Sequence, residues 1–511
     1  MNGGDFLLVF VAMAAYMLVV LAVGIYYGKK NKTSDDYFIG GRNLGAWVTA
    51  MSAEASDMSS WLLMGLPGLA YLTGFGEAGW TAIGLAIGTY LNWKLVAKRL
   101  RKYSEVSNNS ITIPDFFSNR FHDKNHILMI ISSLLIIVFF TVYAASGFSA
   151  CGKLFASVFD FDYVPTMIIC GAVIVLYTSI GGFMAASTTD LIQGLLMSLA
   201  IIVVLIAGTV KAGGVGEVLN YAKSLDGYLD LFYTYNPETG TASSYGAISM
   251  VSGLAWGLGY FGVPHILLRF MAIKNSKEIQ KSRTIAMTWV IISLTVAVCI
   301  GYVGATITSK GIGGIEVLTT SAEAETIFIR LTNAFLPKFI AGIVLSGILA
   351  ATMSTADSQL LMVASSVGNN LFKNIVKKDA TDKQILIVTK VTTVIVAILG
   401  MIIALNPNNS IFSLVSLAWS GFGASFGPLI LFSLFWKRTT LKGAISGMIG
   451  GGALSIIWSL YVSKLGGIFE VYSLLPAFIF ACLLIVIVSL LDKEPSKDIQ
   501  DEFDAVKTAE I

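Results

Sequence analysis

The stretch SAEASDMSSW, residues 52–61, decides how the chain is read. NLGAWVTAM (43–51) leads into it and LLMGLPGLAYLTG (62–74) leads away, and both flanks are apolar enough to lie in lipid. Between them stand Glu54, Asp57 and four serines. Residue 54 is about eight residues into a span beginning near 46, roughly 12 Å deep by helix rise. A carboxylate at that depth costs several kcal/mol unless it meets an ion, a partner or water, so it marks function. The serines and the following Gly65-Leu66-Pro67-Gly68 predict an interrupted helix. Unwound backbone is tolerated in a bilayer only where it lines a cavity. It also exposes carbonyl oxygens, which hard cations take as ligands.

Working outward, the 511 residues are 55% hydrophobic and 13% charged, with a net charge of +3 and a mean hydropathy of +0.76. Soluble chains carry roughly 25% charged residues, so this is an all-α integral membrane protein. Four scattered cysteines and three histidines give no metal-site or disulfide spacing, and no nucleophile–base set suggests an enzyme. Apolar runs long enough to span, about 20 residues each, fall at 5–27, 46–72, 77–97, 126–150, 164–185, 189–211, 247–271, 285–308, 338–371, 388–405, 411–436, 443–463 and 470–491. That predicts about 13 transmembrane helices. Alternate loops are basic, from Lys29, Lys30, Lys32 and Arg42 through Lys98, Arg99, Arg101 and Lys102 to Lys437, Arg438 and Lys442. Cytoplasmic loops concentrate such residues, which predicts an N-terminus outside and a C-terminus in the cytoplasm.

Spans two to six and seven to eleven form two blocks of five. Five is odd, so the second block enters from the opposite side, the inverted-repeat plan of secondary transporters, with the site at the repeat interface. The expected organisation is a first helix and loop at 1–45, a first repeat at 46–211 and an external loop at 212–246. A second repeat at 247–436, two C-terminal helices at 437–491 and a cytoplasmic tail at 492–511 complete it. TIPDFFSNRF in the 98–125 loop reads as a short interfacial helix with Pro114 in its first turn.

Two further stretches bear on function. In ILAATMSTADSQLL (348–361), Ala351, Ser354, Thr355 and Ser358 are three, one and three apart and share roughly one helix face. Asp357 is another deep acid. Two hydroxyl-rich helices and exposed carbonyls suit a five-oxygen cage for a cation. In AWGLGYFGVPHILLRF (255–270), the G-x-G-x-x-G match at 257–262 has no βαβ context and is a chance match. Trp256, Tyr260 and Pro264, four apart, would make one helical stripe. Glycines at 257, 259 and 262 would clear space beside the rings for a small ligand, and Arg269 would anchor the cytoplasmic end. Gly443, Gly447 and Gly451 read as a helix-packing seam.

YFIGGRNLG, SAEASDMSSWLLMGLPG, FFTVYAASG, WGLGYFGVPHILLRFMA, ILAATMSTADSQLL and, more weakly, WSGFGASFGP (419–428) resemble the sodium/solute symporters, and most closely the bacterial sodium/proline branch. The resemblance implies a leucine-transporter-type core in a bacterial plasma membrane, with sodium as coupling ion and no organic cofactor. Sodium would sit at the Ala55 and Met58 carbonyls with Ala351, Ser354 and Thr355. L-proline or a similar small zwitterion would meet Asp57, Ser59, Ser60, Trp61, Tyr143, Trp256, Tyr260 and Pro264. Asp190, Asp357, Ser358 and Glu54 would form a second sodium or proton site, and one of Glu54 and Asp357 is expected to be protonated at neutral pH because two buried like charges oppose each other. Relatives usually carry glycine where this chain has Glu54 and Ser60, glutamine at Val263, and an uncharged residue at Asp357. Alternatives are a symporter of another small amino acid or a monocarboxylate, or a transporter-fold sensor. Nucleic acid is not an expected partner, and the sequence leaves the oligomeric state open.

Overall fold

The computed structural model describes residues 3–29 and 34–509, so Lys30 and Lys32 lie outside the described residues. Helices dominate, and the sole sheet among the described residues is a hairpin, Tyr233–Asn236 with Thr241–Ser244. Nine helices among the described residues are long and apolar enough to cross a membrane, and a bent pair makes up to ten. They are Gly4–Gly28, Ile127–Phe159, Tyr163–Ala212, Ser276–Ser309, Lys338–Val376, Asp382–Ile403, Ile411–Phe435, Leu441–Leu465 and Leu474–Leu491. The bent pair is Ala247–Phe261 with Pro264–Ala272, folded by 45°. The Tyr163–Ala212 helix is interrupted at Gly182, whose φ of 68° is open to glycine at little cost. The hydroxyl-rich stretch itself falls in a composite helix, Ala46–Ser60, Trp61–Gly65 and Leu66–Thr73, and its neighbour runs Phe75–Leu91, Asn92–Ala97 and Lys98–Val106.

The outer ring is lipid-like, with Leu7, Leu18, Ile169, Leu176, Leu195 and Val210 exposed. By contrast, every residue of Ser346–Ser365 is buried, which explains how that helix can be polar on so many sides. Glycines let the inner helices close up. A Cβ on Gly84 or Gly88 would lie 2.5 Å and 2.2 Å from the carbonyl oxygens of Gly253 and Gly257, so these backbones touch directly. The same holds at the C-terminal seam, where a Cβ on Gly443, Gly447 or Gly451 would strike Ser489, Ile485 or Ala424.

Several loops are more ordered than their sequence announced. Ile113–Arg120 is a helix with Thr112 capping the Asp115 amide and Pro114 in its first turn, but Phe116 and Phe117 are wholly buried. The 212–246 connection holds the Val215–Ser224 helix and the hairpin. Tyr228 reaches from it to donate to the carbonyls of Ala70 and Tyr71, both at 2.8 Å. The polar tail forms the Lys497–Thr508 helix, which buries Phe503 and Val506. The guanidinium groups of Arg99 and Arg120 lie over the Phe503 ring, and Lys437 pairs with Asp504. Hydrogen bonds from Lys437 and Lys507 hold the Asp504 carboxyl below its usual value. Lys153, which falls between the spans expected at 126–150 and 164–185, sits inside the Ile127–Phe159 helix, buried and 2.7 Å from Glu325.

Candidate functional site

Two broken helices face each other. The first breaks at Ser59 (φ 52°, ψ −169°), a backbone region otherwise left almost wholly to glycine. A π-helical turn, Trp61–Gly65, follows immediately, with Pro67 inside the next helix start. The break therefore falls among the serines of 52–61, as expected, and six residues ahead of the glycine–proline run. Its effect on hydrogen bonding is specific. The Trp61 amide, which a regular helix would aim at the Asp57 carbonyl, turns back onto Met58 and Ser59 and also donates to Ser59 Oγ at 3.1 Å. The Asp57 carbonyl accepts instead from the Tyr143 hydroxyl at 2.9 Å. The second break is a 3-10 segment, Trp256–Phe261, followed by Gly262 and Val263, before Pro264 starts the next helix. Three residues per turn remove the expected α-helical stripe of Trp256, Tyr260 and Pro264.

Three of the candidate sodium ligands come together one turn before the first break. Ser354 Oγ donates to the Ala55 carbonyl at 2.8 Å and lies 3.1 Å from the Ala351 carbonyl. Next to it, the buried Thr355 hydroxyl has no hydrogen-bond partner among the described residues. Met58 is buried and lines the adjoining cavity. Three oxygens, the Ala55 and Ala351 carbonyls and the Ser354 hydroxyl, thus meet where two helices touch, while the Met58 carbonyl accepts from the Trp61 amide. That donor set fits a hard monovalent cation.

Beside it, Asp57, Met58, Trp61, Leu85, Tyr143, Trp256, Tyr260, Val415 and Trp419 line a narrow cavity of about 20 Å³, so the walls must part to take an amino acid. Tyr260 donates to Asp57 Oδ2 at 2.6 Å, while Asp57 Oδ1 has no partner among the described residues. Trp61 and Trp256 stack at 5.9 Å, Tyr472 stacks on Trp256 at 5.2 Å, and Phe412 tilts against both tryptophans. Trp419 lies edge-on to Tyr260 at 5.1 Å and donates to the Trp256 carbonyl at 2.8 Å.

Of the residues expected at the substrate, Asp57, Trp61, Tyr143, Trp256 and Tyr260 line this cavity. Ser59 shapes the break, Ser60 is buried with its hydroxyl unpartnered, and Pro264 is absent from the lining. The glycines do not clear ligand space as expected. A Cβ on Gly257 would meet Gly84, on Gly259 the Trp419 indole, and on Gly262 the Phe422 carbonyl, so they admit neighbouring helices. Leu85, Phe412, Val415, Trp419 and Tyr472 were not legible: single large residues in apolar helices carry no distinguishing pattern.

The acids divide differently from expectation. Asp190 pairs with Arg269 at 3.2 Å and accepts from Ser52 Oγ at 2.6 Å; Arg269 also donates to Ser52, Ser358 and the His265 carbonyl. Asp357 stands beside this group, interacting electrostatically with Asp190 and Arg269. Arg269 is thus a buried counter-ion, 1% exposed, rather than an anchor at the membrane surface. Its place near the end of an apolar run made the surface reading natural. Glu54 belongs elsewhere: it accepts from Trp93 Nε1 at 2.9 Å and its charged neighbour is Asp57. The expected mutual repulsion of Glu54 and Asp357 is not found: Glu54 faces Asp57, and Asp357 faces Asp190 and Arg269.

The profile of the sodium:solute symporter family matches residues 37–451. The chain is 42% identical over 497 residues to the sodium/proline symporter of Salmonella typhimurium, covering 96% of this chain and 95% of that one. It is 40% identical over 491 residues to the osmoregulated proline transporter OpuE of Bacillus subtilis, covering 96% of each. The high-affinity proline transporter PutP of Bacillus subtilis is 43% identical over 488 residues, covering 95% of this chain and 98% of its own. Among solved structures, a sodium-coupled sialic acid symporter in its substrate-bound outward-open state superposes with a TM-score of 0.79 at 20% identity, covering 96% of this chain and 99% of its own. Mhp1, a nucleobase-cation-symport-1 family transporter, superposes at 0.53 with 13% identity, covering 93% and 99%. With these matches and its apolar helices, the chain is a multi-pass membrane protein, and it belongs to the sodium:solute symporter family, whose members are transporters and not enzymes.

Proposed function

We propose that this protein imports L-proline together with sodium across the bacterial inner membrane by alternating access, with its N-terminus outside and its C-terminus in the cytoplasm. The observation that carries this reading is the Ser354–Ala55 bridge at the break of the first helix, with an aromatic-walled cavity holding Asp57 beside it. Sodium is held by the carbonyls of Ala55, Met58 and Ala351 and the hydroxyls of Ser354 and Thr355. Proline packs its ring between Trp61, Trp256 and Tyr260, with Asp57, Tyr143, Ser59 and Ser60 shaping the polar end. A second cation at Asp190, Asp357 and Ser358 would share its space with Arg269, which already neutralises one of these acids.

Thirteen crossings follow when the two composite helices of 46–73 and 75–106 and both halves of Tyr163–Ala212 are added to the bent pair and the remaining long helices. The two repeats, 46–211 and 247–436, then each begin with a broken helix, as an inverted leucine-transporter-type core requires. The remaining parts are the first helix and loop to 45, the external loop 212–246, two helices within 437–491 and the tail from 492. Coupling comes from sodium ordering the unwound segment at Ser59, so that proline meets a site already formed. One sodium moving inward through about 100 mV releases roughly 2.3 kcal/mol, enough for about fifty-fold accumulation at 1.36 kcal/mol per tenfold.

The test is uptake of labelled L-proline into proteoliposomes holding only this protein, driven by an imposed sodium gradient, with other small amino acids and monocarboxylates as competitors. Sodium-dependent uptake blocked best by proline supports the reading. Uptake unchanged when choline replaces sodium refutes the coupling, and stronger block by another competitor reassigns the substrate.

A further inference from the structure

Glu54 and Asp57 are three residues apart and share one face of the first broken helix, whereas Ala55 and Met58 are each about 100° further round. Glu54 is 1% and Asp57 4% exposed. Neither has a lysine, arginine or histidine among its electrostatic partners within the described residues; those of Glu54 and Asp57 are Trp93, Tyr260 and each other. Two carboxylates in the membrane interior without a positive side chain stay charged only if a cation meets them.

The surroundings supply more than acids. Thr89, one turn ahead of Trp93 on the neighbouring helix, lies near the Tyr260 phenol, which donates to Asp57 Oδ2. Asn92 gives its amide nitrogen to the Tyr260 carbonyl at 2.9 Å, and its amide oxygen is left over. Glu54 Oε2, Asp57 Oδ1, Thr89 Oγ1 and Asn92 Oδ1 are all buried without a hydrogen-bond partner among the described residues. Thr89 and Asn92 are each 1% exposed. Four spare oxygens on two facing helices, all linked to Tyr260 or to each other through Asp57 and Asn92 and two of them from carboxylates, are the donor types of a small hard cation.

We propose that Glu54, Asp57, Thr89 and Asn92 form a separate sodium site, on the face of the broken helix turned away from Ser354. The proposal rests on the reading of the chain as a sodium-coupled transporter. Because Asp57 and Tyr260 also wall the substrate cavity, an ion here would fix the two side chains that the amino acid meets. Glu54 is the residue that creates the site, and Glu54→Gln preserves its size and its acceptor for Trp93 while removing the charge.

The experiment is equilibrium binding of radioactive sodium to the purified full-length protein in detergent, without amino acid. Glu54→Gln is expected to bind one sodium fewer per chain than the wild type, and Ser354→Ala is expected to lose a different one, so that the double variant loses both. Equal sodium numbers for Glu54→Gln and wild type overturn the proposal. Equal numbers for Ser354→Ala and wild type refute the Ser354 site instead and leave the Glu54 result standing. Should Glu54→Gln not fold, the indole of Trp93 reports directly. In the Ser354→Ala background, sodium is expected to shift the fluorescence difference between Trp93 and Trp93→Phe proteins, with potassium inert. No sodium-dependent difference overturns the proposal equally.

Discussion

Thr355→Val separates a sodium ligand from a packing residue by the sign of its effects. The Thr355 side chain is 4% exposed and its hydroxyl has no hydrogen-bond partner among the described residues. A buried hydroxyl left unsatisfied costs about 1–3 kcal/mol, and valine replaces it with a methyl group of similar shape. Without sodium the variant is therefore expected to be more stable than wild type by about that amount. At roughly 2–4 °C per kcal/mol for domains of 150–250 residues, and less for a chain of this length, the midpoint rises by about 1–3 °C. With sodium the sign reverses. Losing one oxygen ligand worth a similar ~1–3 kcal/mol weakens sodium about 5- to 150-fold at 1.36 kcal/mol per tenfold. Ser354→Ala differs, because the Ser354 hydroxyl already holds the Ala55 carbonyl; it should lower the melting temperature without sodium and weaken sodium as well. The assays are thermal melts of purified protein in choline and in sodium chloride, and the sodium dependence of proline uptake in proteoliposomes. A Thr355→Val protein that melts below wild type in choline and keeps wild-type half-saturation by sodium refutes the assignment.

Tyr260→Phe removes a 2.6 Å bond to the Asp57 carboxylate; hydrogen bonds to charged groups are worth about 1.5–3 kcal/mol, so proline binding measured by scintillation proximity should weaken at least tenfold, and an unchanged affinity contradicts it. Lys153→Met leaves Glu325 buried without its cation, and breaking such a pair costs about 3–5 kcal/mol; the thermal midpoint should fall by several degrees and recover in Lys153→Met/Glu325→Gln. For the C-terminal helix, burial of Phe503, worth about 1.5–3 kcal/mol, should outweigh the exposed, salt-screened ion pairs around it. Phe503→Ala is expected to expose the tail to protease, whereas 1 M salt at neutral pH is not. Because the Asp504 carboxyl is held below its usual value, its contribution is complete above the unfolded Asp pKa of about 3.9 and disappears only as pH falls below it. Tail release between pH 5 and 7 would contradict this.

The parts of the site written in contrast were readable. Carboxylates and serines inside lipid-grade flanks singled out 52–61 and 348–361, and the structure brings Ala55, Ala351 and Ser354 together. What could not be read was whatever depends on a distant partner. Trp419 and Tyr472 look like any aromatic in an apolar helix until the second broken helix is laid against them. Arg269 sits near the end of its run, so position suggested an anchor, while its partners Asp190 and Ser358 lie 79 and 89 residues away. Glu54 was assigned to the other acids because depth alone cannot say which face an acid occupies. The break was readable as a region, the serines and the glycine–proline run after them, but not to the residue: glycine and proline mark where a helix is easily bent, whereas Ser59 is bent despite its side chain.

The glycine-to-glycine contact of Gly84 and Gly88 with Gly253 and Gly257 bears on how the molecule moves. Surfaces that meet through side chains can slide by exchanging rotamers, but two main chains pressed together have nothing to rearrange. The Phe75–Leu91 helix and the segment carrying Trp256 should therefore travel as one body between the two faces of the membrane. A spin-label pair spanning that seam would keep a constant distance while pairs from either helix to Ser354 change, which makes the seam a built-in ruler for following transport.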